Sequence, residues 1–204
     1  MSTPVFPLQL EKRAVRAVIP ALALLVSGCV SSKPTDPYAP VSEQTRDTQR
    51  ATALNAEALK YMEKPDASSQ KKAEELLRQS LAADLYFGPA HNNLGVLYLQ
   101  QGKLYEAAGE FEWARRLLPG HPDPRVNLAM TLESAGRGDE AIATYRTALE
   151  VYPEYVAAMQ GLARLQLKSG KADDRTALLL KEIALRGETL EWRDWAREEL
   201  TRTR

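Results

Sequence analysis

The sequence has only one cysteine and two histidines among 204 residues, and its 27 basic residues are matched by 27 acidic ones. A single cysteine excludes a disulfide within the chain. A catalytic thiol needs a neighbouring base, and His91 and His121 lie far along the chain from Cys29. The charge balance argues against nucleic acid as a partner, because nucleic-acid-binding proteins present a basic face. The short sequence motifs typical of metal-binding sites, phosphate-binding loops and serine hydrolases are also missing. We therefore expect no enzyme, no metal site and no small-molecule substrate.

Residues 1–28 have the three parts of a secretory signal peptide. Lys12, Arg13 and Arg16 precede the uncharged run 17–26, and the small residues Ser27 and Gly28 follow it. The run is too short to span a bilayer comfortably, since a membrane-spanning helix needs about 20 apolar residues. The alternative is a buried N-terminal helix of a cytosolic domain. That reading is less favoured, because the run has no polar face that would make such a helix amphipathic.

The four residues 26–29, Val-Ser-Gly-Cys, resemble the lipobox of bacterial lipoproteins. The resemblance implies that the signal peptide is cut before Cys29 and that the Cys29 thiol carries a diacylglycerol, leaving the protein anchored in the cell envelope. No other cofactor is expected. Val30 stands where an aspartate commonly retains such proteins in the inner membrane. In a Gram-negative cell, valine rather than aspartate at this position implies that the protein is anchored at the periplasmic face of the outer membrane.

Residues 29–50 differ in composition from the rest of the chain. They include Pro34, Pro37 and Pro40 and almost no large apolar residue. A segment of this kind cannot bury a core, so we expect a tether between the lipid and the folded part.

A 34-residue period begins beyond the tether. Glycine recurs at 102, 136 and 170, where it is expected to end a helix. Small and aromatic residues recur at the same spacing, and they are Ala107 with Ala141, Phe111 with Tyr145, and Ala114 with Ala148. This pattern resembles the tetratricopeptide repeat (TPR). The resemblance implies an all-α fold, a right-handed α-solenoid of helix-turn-helix repeats, in which the small residues allow close helix contacts and the aromatic residues fill the space between repeats.

Counting by this period places the TPR domain at residues 51–187. Its repeats cover about 49–87, 88–121, 122–155 and 156–187, and a capping helix and tail occupy 188–204. The second half of the last repeat departs from the pattern. Arg175 and Glu182 stand where small residues are expected, and Gly187 stands where a proline is expected, which suggests a shift in register.

The resemblance also implies a function on the concave surface formed by the first helix of each repeat. We expect this groove to be exposed and to bind a protein or peptide partner, with Arg164 and Lys168 forming a small basic spot. The main hypothesis is a membrane-anchored, non-catalytic adaptor. The alternative is a scaffold subunit of an envelope assembly or secretion complex, similar to a pilotin or an outer-membrane assembly factor, which would use the convex surface. The predicted groove residues are Asn92, Val96, Leu99, Gln100, Val126, Asn127, Met130, Glu133, Gln160, Arg164, Leu167 and Lys168.

Overall fold

The computed structural model describes residues 46–202, and within this range every regular element is an α-helix. The all-α class predicted from the sequence is confirmed. The helices are α1 (Thr48–Met62), α2 (Ala67–Ala83), α3 (Gly88–Gln100), α4 (Leu104–Leu117), α5 (Asp123–Ser134), α6 (Gly138–Val151), α7 (Val156–Lys168), α8 (Asp174–Arg186) and α9 (Leu190–Arg202).

The helices pack as successive antiparallel pairs joined by short turns. The pairs α1–α2, α3–α4, α5–α6 and α7–α8 form the repeats, and α9 packs on α8. The first helices of neighbouring repeats also touch one another, as α1 does with α3, α3 with α5 and α5 with α7. No comparable contact joins successive second helices in the described part of the chain. The stack therefore curves toward its first helices, which line the concave side.

Glycine ends the first helix in three repeats. Gly102, Gly136 and Gly170 have φ angles of 73°, 76° and 67°, the left-handed conformation that favours glycine. An added Cβ would meet nothing within 4 Å at any of the three. Backbone conformation rather than space therefore requires glycine here, as the sequence predicted.

Two glycines inside first helices are required for the opposite reason, which is close packing. A Cβ added to Gly95 in α3 would lie 2.7 Å from the Phe111 ring of α4. A Cβ added to Gly161 in α7 would lie 2.4 Å from the ring of Tyr145, which belongs to the preceding repeat. The first contact confirms the predicted close approach within a repeat, and the second confirms that Tyr145 fills the space between repeats.

The last repeat shifts its second helix by one residue. In α4 and α6 the completely or almost completely buried residues follow the 34-residue period, and they are Ala107, Phe111 and Ala114, then Ala141, Tyr145 and Ala148. The same count leads to residues 175, 179 and 182, but α8 buries Thr176, Leu180 and Ile183 instead. The suggested register shift is therefore confirmed. Arg175 is exposed, so the structure does not place it in the position of a small residue.

The α9 helix covers the outer side of α8 and buries Trp192 and Ala196. The predicted signal peptide, Cys29 and residues 29–45 of the tether lie outside the described residues. The end of the predicted tether is wrong, because residues 48–50 form the first turn of α1, which Asp47 caps. Within residues 46–202, none of the helices combines the length and the apolar character that a membrane crossing requires.

Candidate partner-binding surface

The concave surface is built by α3, α5 and α7, and eight of the twelve predicted groove residues are at least partly exposed on these helices. Gln100 and Lys168 are exposed, while the others are half-buried. Each of the three helices contributes one half-buried apolar side chain to this set. The half-buried residues are Asn92, Leu99, Met130, Glu133, Arg164 and Leu167.

The expectation of exposure is wrong for the other four. Val96 and Val126 are buried, Asn127 is 9% exposed, and Gln160 is completely buried. The physical reason is that neighbouring first helices pack directly against one another on this side, as the hydrogen bond from Asn127 in α5 to Asn92 in α3 shows. A partner on the surface cannot touch Gln160, whose amide atoms have no hydrogen-bond partner among the described residues.

Side-chain pairs link each first helix to the next, and we call them the cross-repeat pairs. The Nδ2 of Asn93 donates to the Oδ1 of Asn55 at 2.8 Å, which links α3 to α1. The Nδ2 of Asn127 donates to the Oδ1 of Asn92 at 3.1 Å, which links α5 to α3. The third pair, between α7 and α5, is ionic.

In this third pair, both guanidinium nitrogens of Arg164 donate to the Glu133 carboxylate, at 2.8 and 2.6 Å. The two side chains are only 20% and 15% exposed. Burial alone would lower the pKa of Arg164, but the hydrogen bonds and charge of Glu133 outweigh it and raise that pKa. Burial also raises the pKa of Tyr145, which lies beside the pair.

The predicted basic spot of Arg164 and Lys168 is therefore wrong for Arg164. Glu133 neutralises Arg164, and only Lys168 stays exposed at the end of α7. The sequence analysis placed Glu133 and Arg164 in the same groove without joining them. A signal existed, since opposite charges separated by 31 residues can face each other on neighbouring first helices of a 34-residue repeat.

His91 is buried at the junction of the α2–α3 loop and α4. Its Nδ1 lies 2.6 Å from the Oε2 of Glu110, and its Nε2 lies 2.9 Å from the carbonyl oxygen of Leu85. Its ring stacks on Trp113 at a centroid distance of 5.6 Å. These contacts give His91 a packing role between the α2–α3 loop and α4.

A cavity of about 260 Å³ lies away from the concave surface, between the second helices α6 and α8 and over α7. Leu149, Leu162 and Leu179 supply its apolar lining, and Arg146 and Asp173 approach each other to 3.7 Å beside it. Among the described residues, no cluster of three or more histidine, cysteine and acidic side chains could hold a metal ion.

The paired helices, the glycine turns and the concave first-helix surface define a tetratricopeptide-repeat protein. Residues 40–184 match the family model described as the Protein kinase G tetratricopeptide repeat, and the chain belongs to this family. Repeats of this class build extended concave surfaces for binding other proteins.

One curated relative is the TPR repeat-containing thioredoxin TTL4 of Arabidopsis thaliana. It is 31% identical over 93 residues, which are 46% of this chain and 14% of that protein. This chain thus corresponds to a small part of that relative's length.

Solved structures share the fold. The first TPR of Spaghetti (RPAP3) bound to the HSP90 peptide SRMEEVD superposes with a TM-score of 0.56 at 19% identity, covering 61% of this chain and 96% of that one. YrrB, described as a TPR protein with an unusual peptide-binding site, gives 0.57 at 18% identity, covering 74% and 76%. An O-GlcNAc transferase mutant from Thermobaculum terrenum gives 0.59 at 27% identity, covering 76% and 27%.

Proposed function

We propose that this protein is a membrane-anchored, non-catalytic adaptor that holds a protein partner on its concave surface. The observation that carries the proposal is the arrangement of Leu99, Met130 and Leu167, which are half-buried apolar side chains on three successive first helices. Apolar groups that recur along a curved surface suit the alternate side chains of an extended peptide or one face of a helix.

The polar groups of the same surface suit the backbone of such a partner. Asn92 uses its Oδ1 in a cross-repeat pair, while its Nδ2 has no acceptor among the described residues. Gln100 and Lys168 are exposed beside the apolar groups. An amide that both donates and accepts can hydrogen-bond the peptide backbone whatever the partner's sequence. The HSP90 peptide bound to the Spaghetti repeat supports this reading by likeness of fold.

The groove is tested by changing Leu99 and Met130 together to glutamate. Partner capture by the tagged, membrane-anchored protein, followed by mass spectrometry, should lose its main protein. Circular dichroism and the melting temperature should stay close to wild type, because both side chains already face solvent in part. A matched control changes Tyr105 and Leu178 to glutamate, since these are exposed apolar residues on the second helices α4 and α8.

The alternative function, a scaffold subunit that binds through its second helices, predicts the reverse result. The cavity between α6 and α8 and the exposed Tyr105 and Leu178 are the observations that favour it. Capture that survives in the groove variant and disappears in the Tyr105 and Leu178 control would establish the alternative and contradict the groove.

The anchor is the second half of the proposal. Cleavage before Cys29 and lipidation of its thiol would fix the protein in the cell envelope, at the periplasmic face of the outer membrane in a Gram-negative cell. The lipid would be the only group the adaptor carries, and no cofactor is needed. One acyl chain binds a membrane only marginally and two or more hold it stably, so a diacylglycerol suits a permanent anchor.

Metabolic labelling tests the anchor. A palmitate analogue should label the wild-type protein and not the Cys29→Ser variant. Equal labelling of the two proteins would contradict the lipoprotein half of the proposal and leave the adaptor half standing.

A further inference from the structure

The exposed large apolar side chains are concentrated at one edge of the solenoid. At this edge each second helix ends and the next first helix begins, and we call it the loop edge. Of the eight such side chains in the described range, only Tyr105 and Leu178 lie elsewhere, in the first halves of α4 and α8. Single exposed apolar residues are ordinary on protein surfaces, but their concentration marks an interaction site. The six on the loop edge are Leu85, Tyr86, Trp113, Tyr152, Leu185 and Leu190.

At one end of the loop edge, contacts between the α2–α3 loop and its neighbours hold the exposed residues in place. The Arg46 guanidinium lies 5.4 Å from the centre of the Tyr86 ring. His91 binds the Leu85 carbonyl and stacks on Trp113, so the α2–α3 loop is joined to α4. The rings of Tyr86 and Trp113 and the backbone of Leu85 are therefore held in place by these contacts.

The other end of the edge is joined by polar contacts. The Tyr155 hydroxyl donates to the Asp123 carboxylate, which links the α6–α7 loop to the start of α5. Arg186 at the end of α8 lies 3.2 Å from Glu154 in the same loop. Tyr152 and Leu185 thus belong to connected parts of one edge.

The chain enters the solenoid at this same edge. The backbone N–H of Asp47 donates to the carbonyl of Ala83 at 3.0 Å, and Arg46 pairs with Asp84 at 2.9 Å. Residues 30–45 separate Arg46 from Cys29. Sixteen residues span at most about 55 Å in any conformation, so an anchor at Cys29 would keep the loop edge within that distance of the lipid surface.

We infer that the loop edge lies on the bilayer surface in the anchored protein, with Trp113, Tyr86 and Tyr152 at the lipid–water interface. The inference rests on the proposed lipidation of Cys29. Tyrosine and tryptophan favour the membrane interface because each combines an apolar ring with a polar group. Anchoring makes the second contact intramolecular, with an effective concentration in the millimolar range, so a weak affinity of the edge for lipid is sufficient.

The charges at the edge agree with a contact that does not depend on anionic lipid. Arg46 is paired with Asp84, and Arg186 with Glu154. Arg115 and Arg116 in the last turn of α4 share Glu112, at 2.7 and 3.9 Å. Because these cations already have partners, attraction to negative headgroups adds little. Every described first helix begins at this edge, so the first helices would stand with their N-termini toward the lipid and the groove would open sideways.

The test uses tryptophan fluorescence in the full-length lipidated protein, reconstituted into phosphatidylethanolamine and phosphatidylglycerol vesicles. A second set of vesicles carries bromine atoms on the acyl chains close to the headgroups, and bromine quenches tryptophan that reaches the same depth. Trp113 is 44% exposed, whereas Trp192 is buried. A Trp113→Phe variant measures the signal from Trp192 and Trp195, so the difference reports Trp113 alone.

A matched variant carries a tryptophan away from the loop edge. Trp113→Phe combined with Tyr105→Trp moves the exposed indole to a position that is 90% exposed in the first half of α4. We expect bromine to reduce the Trp113 signal and to leave the signal at position 105 unchanged. Vesicles of phosphatidylcholine alone should give the same loss for Trp113.

The failures of the two proposals are distinguishable by flotation. A protein that floats with the vesicles while Trp113 stays unquenched overturns the inference and keeps the anchor, and a protein partner would then be the occupant of the edge. Equal quenching at positions 113 and 105 also overturns it, because the solenoid would have no fixed orientation. A protein that does not float overturns the anchor and the inference with it.

Discussion

The second helices α6 and α8 occupy equivalent places in neighbouring repeats, yet they bury different positions of the repeat. In α6 the completely or almost completely buried residues are Ala141, Tyr145 and Ala148, and Ile142 is 6% exposed. In α8 they are Thr176, Leu180 and Ile183, each one residue later than the 34-residue count from the first three. The preceding turns begin alike, because Gly136 and Gly170 both have positive φ angles. They differ in length, since three residues, 135–137, precede α6 and five, 169–173, precede α8.

The start of the helix accounts for the difference. Arg137 at the start of α6 makes no side-chain cap. Asp173 at the start of α8 forms a capping box with Thr176, in which each side chain binds the other residue's backbone N–H. The cap fixes where α8 begins, and α8 then turns the apolar residues at 180 and 183 toward the core. A repeat spacing therefore predicts register only where the turn before the helix keeps its length.

The largest expected effect is the difference in folding stability between alanine variants of Leu180 and of its neighbour Leu179. Leu180→Ala should destabilise the protein by about 2–4 kcal/mol, since Leu180 is 1% exposed and its loss leaves a cavity. Leu179→Ala is the matched control, because Leu179 only lines the open cavity beside α6 and should cost less than about 1 kcal/mol. Urea denaturation measures both. A larger cost at Leu179 would mean that α8 keeps the 34-residue register.

The next effect concerns the contact that Tyr145 makes with the last repeat. Gly161→Ala places a Cβ 2.4 Å from the Tyr145 ring and should cost about 1–3 kcal/mol. Gly109→Ala, in the middle of α4, meets nothing within 4 Å and should stabilise the protein by about 0.5–1 kcal/mol. Thermal melts of the two variants should thus shift in opposite directions. Two stabilised proteins would show that α6 and α7 are not in close contact.

A smaller effect tests whether the first helices keep the register that α8 loses. Arg164→Ala leaves the mostly buried Glu133 carboxylate without its partner and should cost about 1–2 kcal/mol. Lys168→Ala, one turn further along α7 and exposed, should change the melting temperature little. If both variants melt like the wild type, the Glu133–Arg164 contact contributes nothing and α7 has no ionic link to α5.

The smallest effect depends on pH and concerns the cap of α8. The Thr176 backbone N–H donates to the Asp173 carboxylate at 2.9 Å and holds the pKa of Asp173 below its ordinary value of 3.8. A lowered pKa means that this stabilisation is complete well above pH 3.8 and is lost as the pH falls below that value. Asp173→Ala should cost about 1 kcal/mol at pH 7.

The matched control for the cap is Asp173→Asn, because an asparagine oxygen can still accept from the Thr176 backbone N–H but does not titrate. The wild type and Asp173→Ala should approach each other in stability when the urea titration is repeated near pH 2, whereas the difference between Asp173→Asn and Asp173→Ala should persist. A constant difference between the wild type and Asp173→Ala across pH would exclude the carboxylate as the source of the effect.

Most of the fold could be predicted from the sequence because the period combines residues with separate physical reasons. Glycines with positive φ, small residues at close contacts and aromatic residues between repeats all recur at 34, and a simple helical bundle would not need this. The start of α8 could not be fixed in the same way. Asp173 and Asp174 are both good helix caps, and the repeat spacing alone does not tell which of them begins α8.

The surface was less predictable than the fold. Counting along the repeat finds which residues lie on first helices, but it does not tell how deeply they are buried. Val126 and Gln160 are buried because α3, α5 and α7 pack closely on the concave side, and that closeness depends on the whole stack. The Asn92–Asn127 and Glu133–Arg164 contacts join neighbouring repeats at offsets of 35 and 31, so a search at a spacing of 34 passes over them.

The cross-repeat pairs have a consequence for the speed of recognition. They join α1 to α3, α3 to α5 and α5 to α7 before any partner arrives, so the curvature of the groove is set in the free protein. A surface that needs no rearrangement loses little conformational entropy of its own on binding. Its association rate is then governed by diffusion and orientation, at about 10⁵–10⁷ M⁻¹s⁻¹. Partners that differ in affinity should accordingly differ in how long they stay bound, and much less in how quickly they arrive.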